Sequence, residues 1–273
     1  MPRLSIITIN YNNCRGLEKT IASVLLQTYS DIEFVVIDGG STDGSVEVIK
    51  KYANKISFWV SEKDKGIYNA QNKGWQNATG KYCLFLNSGD YLVDTNTIQS
   101  IFSNDFTEDL VYGDLMVDNG KDPLYTIKQP DPFLFEDIIR STLFHPATFI
   151  KRKLLETRGG YDESFRIVGD YDFFLEMLFV KKCSSKYIHV PVAVFNTEGI
   201  GSNPKHKKAQ DEERLKSQLR YFSKTEIDTV RKIANKKLPK SVRLKNSVSH
   251  IPVVREVTSF SIYLWQSIRK LFR

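Results

Sequence analysis

The sequence predicts an α/β fold, a doubly wound and mostly parallel sheet with flanking helices, continued by a basic helical C-terminal tail. Three observations lead there. Apolar runs rich in Val, Ile and Leu alternate with segments of helical periodicity, the pattern of successive βαβ units with right-handed crossovers. Each early run stops in small or acidic residues: Phe34-Val35-Val36-Ile37 in Asp38, Ile56 to Val60 in Ser61-Glu62, and Leu84-Phe85-Leu86 in Asn87-Ser88-Gly89-Asp90. Such stops mark the carboxyl edge of a parallel sheet, where diverging connections open a crevice for ligands. Finally, charge is unevenly divided. Residues 205 to 273 carry 18 Lys and Arg against 6 Asp and Glu, a net +12, and residues 1 to 204 carry 21 against 26, a net −5. The expected organisation is therefore a domain over 1–204 and a basic helical extension over 205–273.

Leu4-Ser5-Ile6-Ile7-Thr8-Ile9 reads as a central strand buried on both faces. It leaves through the amide-rich Asn10-Tyr11-Asn12-Asn13 into a helix carrying Leu17, Ile21, Val24 and Leu25. After the second strand, Asp38-Gly39-Gly40-Ser41-Thr42-Asp43-Gly44-Ser45 supplies helix caps and glycines that let backbone approach a ligand. A third strand, a loop through Gly66, a helix around Asn69 to Asn77 and a strand from Tyr82 to Leu86 complete the alternating half. Beyond Asp90 the alternation loosens into a strand over Leu110 to Val117, a short helix over Phe133 to Ile139 and an extended segment over Thr142 to Ile150. Gly169-Asp170-Tyr171-Asp172 then opens a helix whose apolar side is Phe173, Phe174, Met177 and Leu178, so Asp170 stands at a helix N-terminus. Val190 to Phe195 closes the sheet before the polar loop through Glu198 to Ser202.

Three carboxylates on one rim suit a polar, multiply hydroxylated ligand or a divalent cation carrying a diphosphate. Taken singly, Asp and Gly after strands are turn formers. Cys14, Cys83 and Cys183 lack metal or redox spacing, and an odd number argues against a disulfide framework, so a reducing compartment is expected. No signal-peptide or spanning-helix pattern stands out, which makes a cytoplasmic location the expectation. A positive tail on a negative domain does not suit nucleic-acid binding, because such enzymes spread positive charge across the catalytic domain. The tail's last segment sets Phe260, Tyr263, Leu264, Trp265, Ile268, Leu271 and Phe272 toward one helical side beside Arg269, Lys270 and Arg273. That composition suits the inner face of the plasma membrane, with packing on the domain or a homodimer contact as equal alternatives.

Five segments together resemble the family 2 glycosyltransferases of GT-A fold, inverting enzymes that use nucleotide sugars. They are Ser5 to Asn12, Ile37 to Ser45, Gly66-Ile67-Tyr68-Asn69-Ala70-Gln71-Asn72-Lys73-Gly74, Leu86 to Asp90, and Gly169 to Asp172. The resemblance covers residues 3 to 204 and is greatest to enzymes that build bacterial surface polysaccharides on lipid carriers. It implies that Thr8, Asn10 and Asn12 line the nucleotide site, that Asp38 accepts from the base, commonly uracil, and that Glu62 lies beside the nucleoside. Asn69 and Lys73 are implied to approach ribose and diphosphate, with Asn87 and Ser88 also on the donor side. The family's acidic metal motif departs here to Asn87-Ser88-Gly89-Asp90, leaving Asp90 as the expected ligand of Mn2+ or Mg2+, with His145 as a second ligand, a phosphate contact or a structural histidine. Asp170 matches the catalytic base, against the competing reading of a plain helix cap, with Asp172 as fallback. The implied partners are a nucleotide-sugar donor, uridine-linked by family weight alone, and a lipid-linked or saccharide acceptor. A noncatalytic nucleotide-sugar binder is the rival reading, favoured by the altered metal motif and opposed by Asp170.

Overall fold

Alternate residues of the central strands point to opposite faces, and both faces are covered, which is why these strands read as unbroken apolar runs. A computed structural model of the chain describes residues 3 to 236. The alternating half comprises β1 (Leu4–Asn10), α1 (Cys14–Leu25), β2 (Ile32–Asp38), α2 (Ser45–Tyr52), β3 (Phe58–Ser61), α3 (Ile67–Gln76) and β4 (Tyr82–Phe85). Then follow β5 (Tyr91–Leu92), α4 (Thr97–Phe102), β6 (Leu110–Asp118), β7 (Tyr125–Ile127), α5 (Phe135–Arg140), β8 (Thr148–Lys151) and α6 (Arg152–Arg158). The last described elements are α7 (Gly169–Leu175), β9 (Ser185–Asn196), α8 (Lys207–Tyr221) and α9 (Lys224–Lys236).

The strands form one sheet in the order β3-β2-β1-β4-β8-β6-β9-β5, with β7 paired to β6. Strands β1 to β4 run parallel, β6 and β9 share their direction, and β8, β5 and β7 run against their neighbours. Ile6, Val36 and Leu84 face one core with Leu17, Ile21 and Val24 of α1. Ile7, Ile37 and Phe85 face the other, packed on Tyr68 and Trp75 of α3 and on Tyr171 and Phe174 of α7. The carboxyl ends of β1 and β4 are thereby held side by side beneath α3 and α7.

Several boundaries differ from the sequence reading. The segment around His145 is a turn of 3-10 helix over His145–Ala147 followed by β8, because Pro146 fixes φ near helical values at the turn's first positions. The last strand begins at Ser185, five residues earlier than the apolar run, and pairs with β6 through a register shift. The expected division at 204 does not coincide with a gap in packing. Phe222, Ile227 and Val230 lie in the same core as Phe135 and Tyr171, and α8 buries Ser217 and Gln218 against α7. The tail segment from 259 to 273, with its expected membrane or dimer contact, lies outside the described residues. Among the described residues no helix is long and apolar enough to cross a membrane, and the three cysteines are free.

Candidate active site

A cavity of about 660 Å³ opens at the carboxyl edge of β1 and β4. Its walls come from the loops after those strands, the start of α3, the 3-10 turn at His145, the start of α7, the β6–β7 hairpin and the loop joining β9 to α8. Asn10, Asn87, Ser88, His145 and Asp170 of the expected residues line it.

Asp170 is the second residue of α7 and turns into this cavity. The Tyr68 hydroxyl lies 2.9 Å from Asp170 Oδ1 and also 2.7 Å from the Ile167 carbonyl, and His145 Nδ1 stands 3.3 Å from Asp170 Oδ2. Gly169 makes this approach possible, since a Cβ there would sit 2.8 Å from the Tyr68 ring. On its other side His145 Nε2 meets Asn87 Nδ2 at 3.1 Å, and Asn87 Oδ1 accepts from Gln71 Nε2 at 3.3 Å. An amide nitrogen only donates, so Nε2 accepts, and the ring proton sits on Nδ1 and points at Asp170. Gln71, Asn87, His145 and Asp170 thus form one directed chain. Burial pushes the Asp170 carboxyl up, but the hydrogen bonds from His145 and the Tyr68 hydroxyl outweigh it and hold the group below its ordinary range. Tyr68 moves the opposite way, raised well above its usual value by burial and by the Asp170 charge, and so stays a donor.

Elsewhere the expected residues divide. Asn10 lines the cavity, donates to Asp38 Oδ1 at 2.7 Å, and leaves its buried Oδ1 without a protein partner. Gln71 Oε1 is likewise buried without a protein partner. Thr8 does not reach the cavity: it lies deeper in β1, fully buried, and donates to the Leu86 carbonyl at 2.8 Å. Asp38 is also fully enclosed. Its oxygens already accept from Asn10, Gly40, Ser41 and Ser61, so it shapes the loop rather than presenting a free carboxylate to a base. Although burial raises it, these donors hold its carboxyl below the ordinary range. Asn12 accepts from the Thr42 amide at 2.9 Å and ties the two loops together away from the cavity. Glu62 and Lys73 pair with each other at 2.6 Å, and Asn69 donates to Glu163, so none of these three lines the cavity.

Asp90, the expected metal ligand, is turned inward behind the cavity wall. The Asn196 amide donates to its Oδ1 at 2.9 Å, and burial pushes its carboxyl up to about 7. The preceding Gly89, at φ 103°, offers no side chain at the position where the family motif carries an acid. His145 has both ring nitrogens engaged. Among the described residues no group of three or more His, Cys, Asp or Glu could hold a metal ion. The residues present therefore do not fit a protein-built Mn2+ or Mg2+ site. Because the folded Asp90 binds a proton more tightly than an unfolded Asp at about 3.9, its ionisation costs stability as pH rises from about 4 to 7. Asp90→Asn is expected to melt at the wild-type temperature near pH 3 and higher than wild type at pH 8, by a margin on the order of 1 to 3 kcal/mol. Thermal unfolding across that range checks it, and parallel curves for the two proteins would show the carboxylate to be compensated.

Residues not singled out from sequence complete the site. Tyr11, 66% exposed, and Asp64 stand at the mouth on either side of Gly39. Tyr68 and Gln71 share a face of α3 within the Gly66 to Gly74 segment, where i, i+3 spacing was the available signal. Arg214 enters from α8, and no local pattern marked it. Leu115, Val117, Tyr125 and Ile127 of the β6–β7 hairpin, with Phe195, make an apolar wall.

The model of the family Glycosyl transferase family 2 matches residues 5–161. A PGL/p-HBAD biosynthesis glycosyltransferase of Mycobacterium bovis is 31% identical over 208 residues, spanning 74% of this chain and 80% of that protein. Among solved structures, S. aureus TarS residues 1–349 in complex with UDP-GlcNAc superposes with a TM-score of 0.64 at 17% identity, over 84% of this chain and 70% of that one. The mannosyltransferase PcManGT from Pyrobaculum calidifontis, in complex with GDP-Man and Mn2+, gives 0.63 at 17% identity, over 96% and 80%. Both likenesses are of fold.

Proposed function

Since the chain belongs to glycosyl transferase family 2 and is a glycosyltransferase, we propose that it moves a sugar from a nucleoside-diphosphate donor, a UDP-sugar, to an acceptor hydroxyl with inversion. The observation that carries this reading is Asp170, ionised and held in the cavity wall by His145 and Tyr68. The nucleotide lies along the loops after β1 and β4, where Asn10 and Gln71 offer unpartnered acceptors. The acceptor enters so that its hydroxyl meets an Asp170 oxygen. That carboxylate takes the hydroxyl proton as the oxygen attacks the anomeric carbon from the face opposite the departing diphosphate, and attack from that face inverts the centre. His145 and Tyr68 keep the carboxylate ionised and fixed in direction, so little reorganisation is needed at the moment of transfer.

An apolar wall beside a catalytic carboxylate supports a lipid-linked acceptor, whose hydrocarbon or aromatic part lies on the β6–β7 hairpin. The relative named for PGL/p-HBAD biosynthesis supports a place in glycolipid or cell-surface polysaccharide assembly. A sequence tail of net +12 fits a peripheral position on an anionic inner-membrane surface. The deciding experiment follows free diphosphate from UDP-, GDP- and dTDP-sugars with polyprenyl-diphosphate-sugar acceptors, with and without Mn2+. Acceptor-dependent release supports transfer, and donor binding without release across the panel favours a noncatalytic binder.

Tyr11 offers an exposed ring to the base at the mouth. Base stacking on an aromatic ring contributes about 1 to 3 kcal/mol. Tyr11→Ala is expected to weaken UDP about tenfold by calorimetry and to leave kcat at saturating donor near wild type, and equal affinities would move the base elsewhere.

A further inference from the structure

We propose that Arg214 supplies the positive charge that receives the donor's diphosphate, in place of a metal ion held by protein ligands. The inference rests on the glycosyl-transfer reading and adds the group that meets the leaving charge.

A nucleoside diphosphate brings at least two negative charges into the cleft, and more charge develops on it as the glycosidic bond breaks. The charged side chains lining the cavity, among the described residues, are Asp64, Asp170 and Arg214. Arg214 is the one Lys or Arg among them. Lys73, the cation the sequence pointed to, is taken up by Glu62 outside the cavity. The altered Asn87-Ser88-Gly89-Asp90 segment and the inward Asp90 leave no cluster of metal ligands.

Arg214 is itself incompletely satisfied. Its Nε is buried and has no hydrogen-bond partner, and one terminal nitrogen donates to the Arg140 carbonyl at 3.2 Å. Among the described residues no carboxylate lies within ion-pair distance of it. The neighbouring Glu213 is committed to the backbone amides of Arg166, Ile167 and Val168, and so braces α8 against the start of α7. The guanidinium lies over the Tyr171 ring, 5.0 Å from its centroid, which fixes its plane next to the residue that follows Asp170. A part-buried cation that has no counter-charge among the described residues is costly to hold, and an anionic ligand lowers that cost. Position favours the donor's diphosphate. Gln210 and Arg214 are four residues apart on α8 and both line the cavity, and Gln210 reaches back to the Gly201 carbonyl at 3.5 Å. Gly199, Gly201 and Ser202 line the same end, and nothing occupies the space where a Cβ would stand on either glycine. A planar fork of donors beside a loop of small residues suits phosphate oxygens better than a point charge would.

The test is calorimetric titration of the full chain with UDP, GDP, dTDP and uridine, in EDTA and in Mn2+, on wild type, Arg214→Lys and Arg214→Gln, with acceptor KM measured in parallel. Wild type is expected to bind its diphosphate within threefold equally in EDTA and Mn2+. Arg214→Gln is expected to lose at least tenfold in diphosphate affinity and to keep its uridine affinity, with Arg214→Lys between the two. Thermal melting confirms that the variants fold, and the unchanged uridine affinity confirms an intact cleft. Diphosphate binding that requires Mn2+ overturns the proposal, as does wild-type diphosphate affinity in Arg214→Gln. A rise confined to acceptor KM also overturns it, since the anion at Arg214 is then the acceptor's own phosphate. If wild type binds no nucleotide in either buffer, the glycosyl-transfer reading falls together with this one, an outcome distinct from nucleotide binding that is indifferent to Arg214.

Discussion

Asp170→Asn is expected to reduce kcat by about a hundred- to ten-thousandfold, the usual worth of a positioned general base, while donor affinity stays near wild type. The amide keeps the shape of the carboxyl and retains an oxygen for one of its two donors, Tyr68 or His145. It cannot take a proton from the acceptor hydroxyl. A structural cap replaced in the same way changes melting by a few tenths to about 2 kcal/mol and leaves turnover of the folded fraction intact. Steady-state rates at saturating donor, read beside a melting curve, therefore separate the two roles. The pH profile adds an independent check. With its carboxyl held below the ordinary range, Asp170 remains the ionised base through neutrality, and protonation removes it only as pH falls below about 4. An acidic limb of kcat/KM centred near pH 6 to 7 in the wild type would assign the base to another group. Wild-type kcat in the folded Asp170→Asn protein would remove Asp170 from the chemistry altogether.

What the sequence disclosed depended on whether a signal was local. Alternating apolar runs and helical periodicity are properties of neighbouring residues, so the parallel half and its order could be read directly. Short partners could not. Tyr91–Leu92 and Tyr125–Ile127 are strands because longer strands pair with them, and two or three residues carry no period of their own. Asp170 was legible only through the five motifs that together resemble the family, since an acid opening an apolar helix is by itself an ordinary cap. Its support was hidden: Tyr68, Asn87 and His145 come from three segments that only the fold joins. Thr8 and Asp90 show the converse. Both bear the right chemistry at the right edge, but one sits a step too deep in its strand and the other turns toward Asn196. Sequence placed Asp38 on the rim without revealing the ring of donors that occupies it. Arg214 lay in a stretch of alternating charge that reads as a solvated helix, and the packing of α8 on α7 is what brings it to the cavity.

The contrast between Asp170 and its neighbour two residues on leads to the largest expected loss of stability. Asp172 is fully buried on the other side of α7, paired to Arg158 Nη2 at 2.5 Å and receiving the Ser217 hydroxyl at 2.7 Å. Arg158 also holds Glu176 at 2.7 Å and the Gly160 carbonyl at 2.7 Å, so it ties the end of α6 to the middle of α7 and to the residue just past it. Even with these partners burial wins, and the Asp172 carboxyl is raised above its usual value. Arg158→Ala leaves that carboxylate enclosed with only Ser217 and the more distant Arg220, 3.5 Å away. Breaking a buried pair in this way costs about 3 to 5 kcal/mol, roughly 6 to 20 °C in melting temperature for a domain of this size. The sign of its pH dependence follows from the raised value. Below the unfolded pKa of about 3.9 both states carry the proton and no ionic penalty exists. As pH rises toward neutrality the unfolded state ionises freely while the folded one resists, so the penalty grows. The melting deficit should therefore be widest at pH 7 to 8, narrow toward pH 4, and be partly relieved at neutrality by the second change Asp172→Asn. A deficit constant with pH would trace the loss to the contact of the Arg158 guanidinium with the Phe173 ring instead of to the carboxylate it leaves behind.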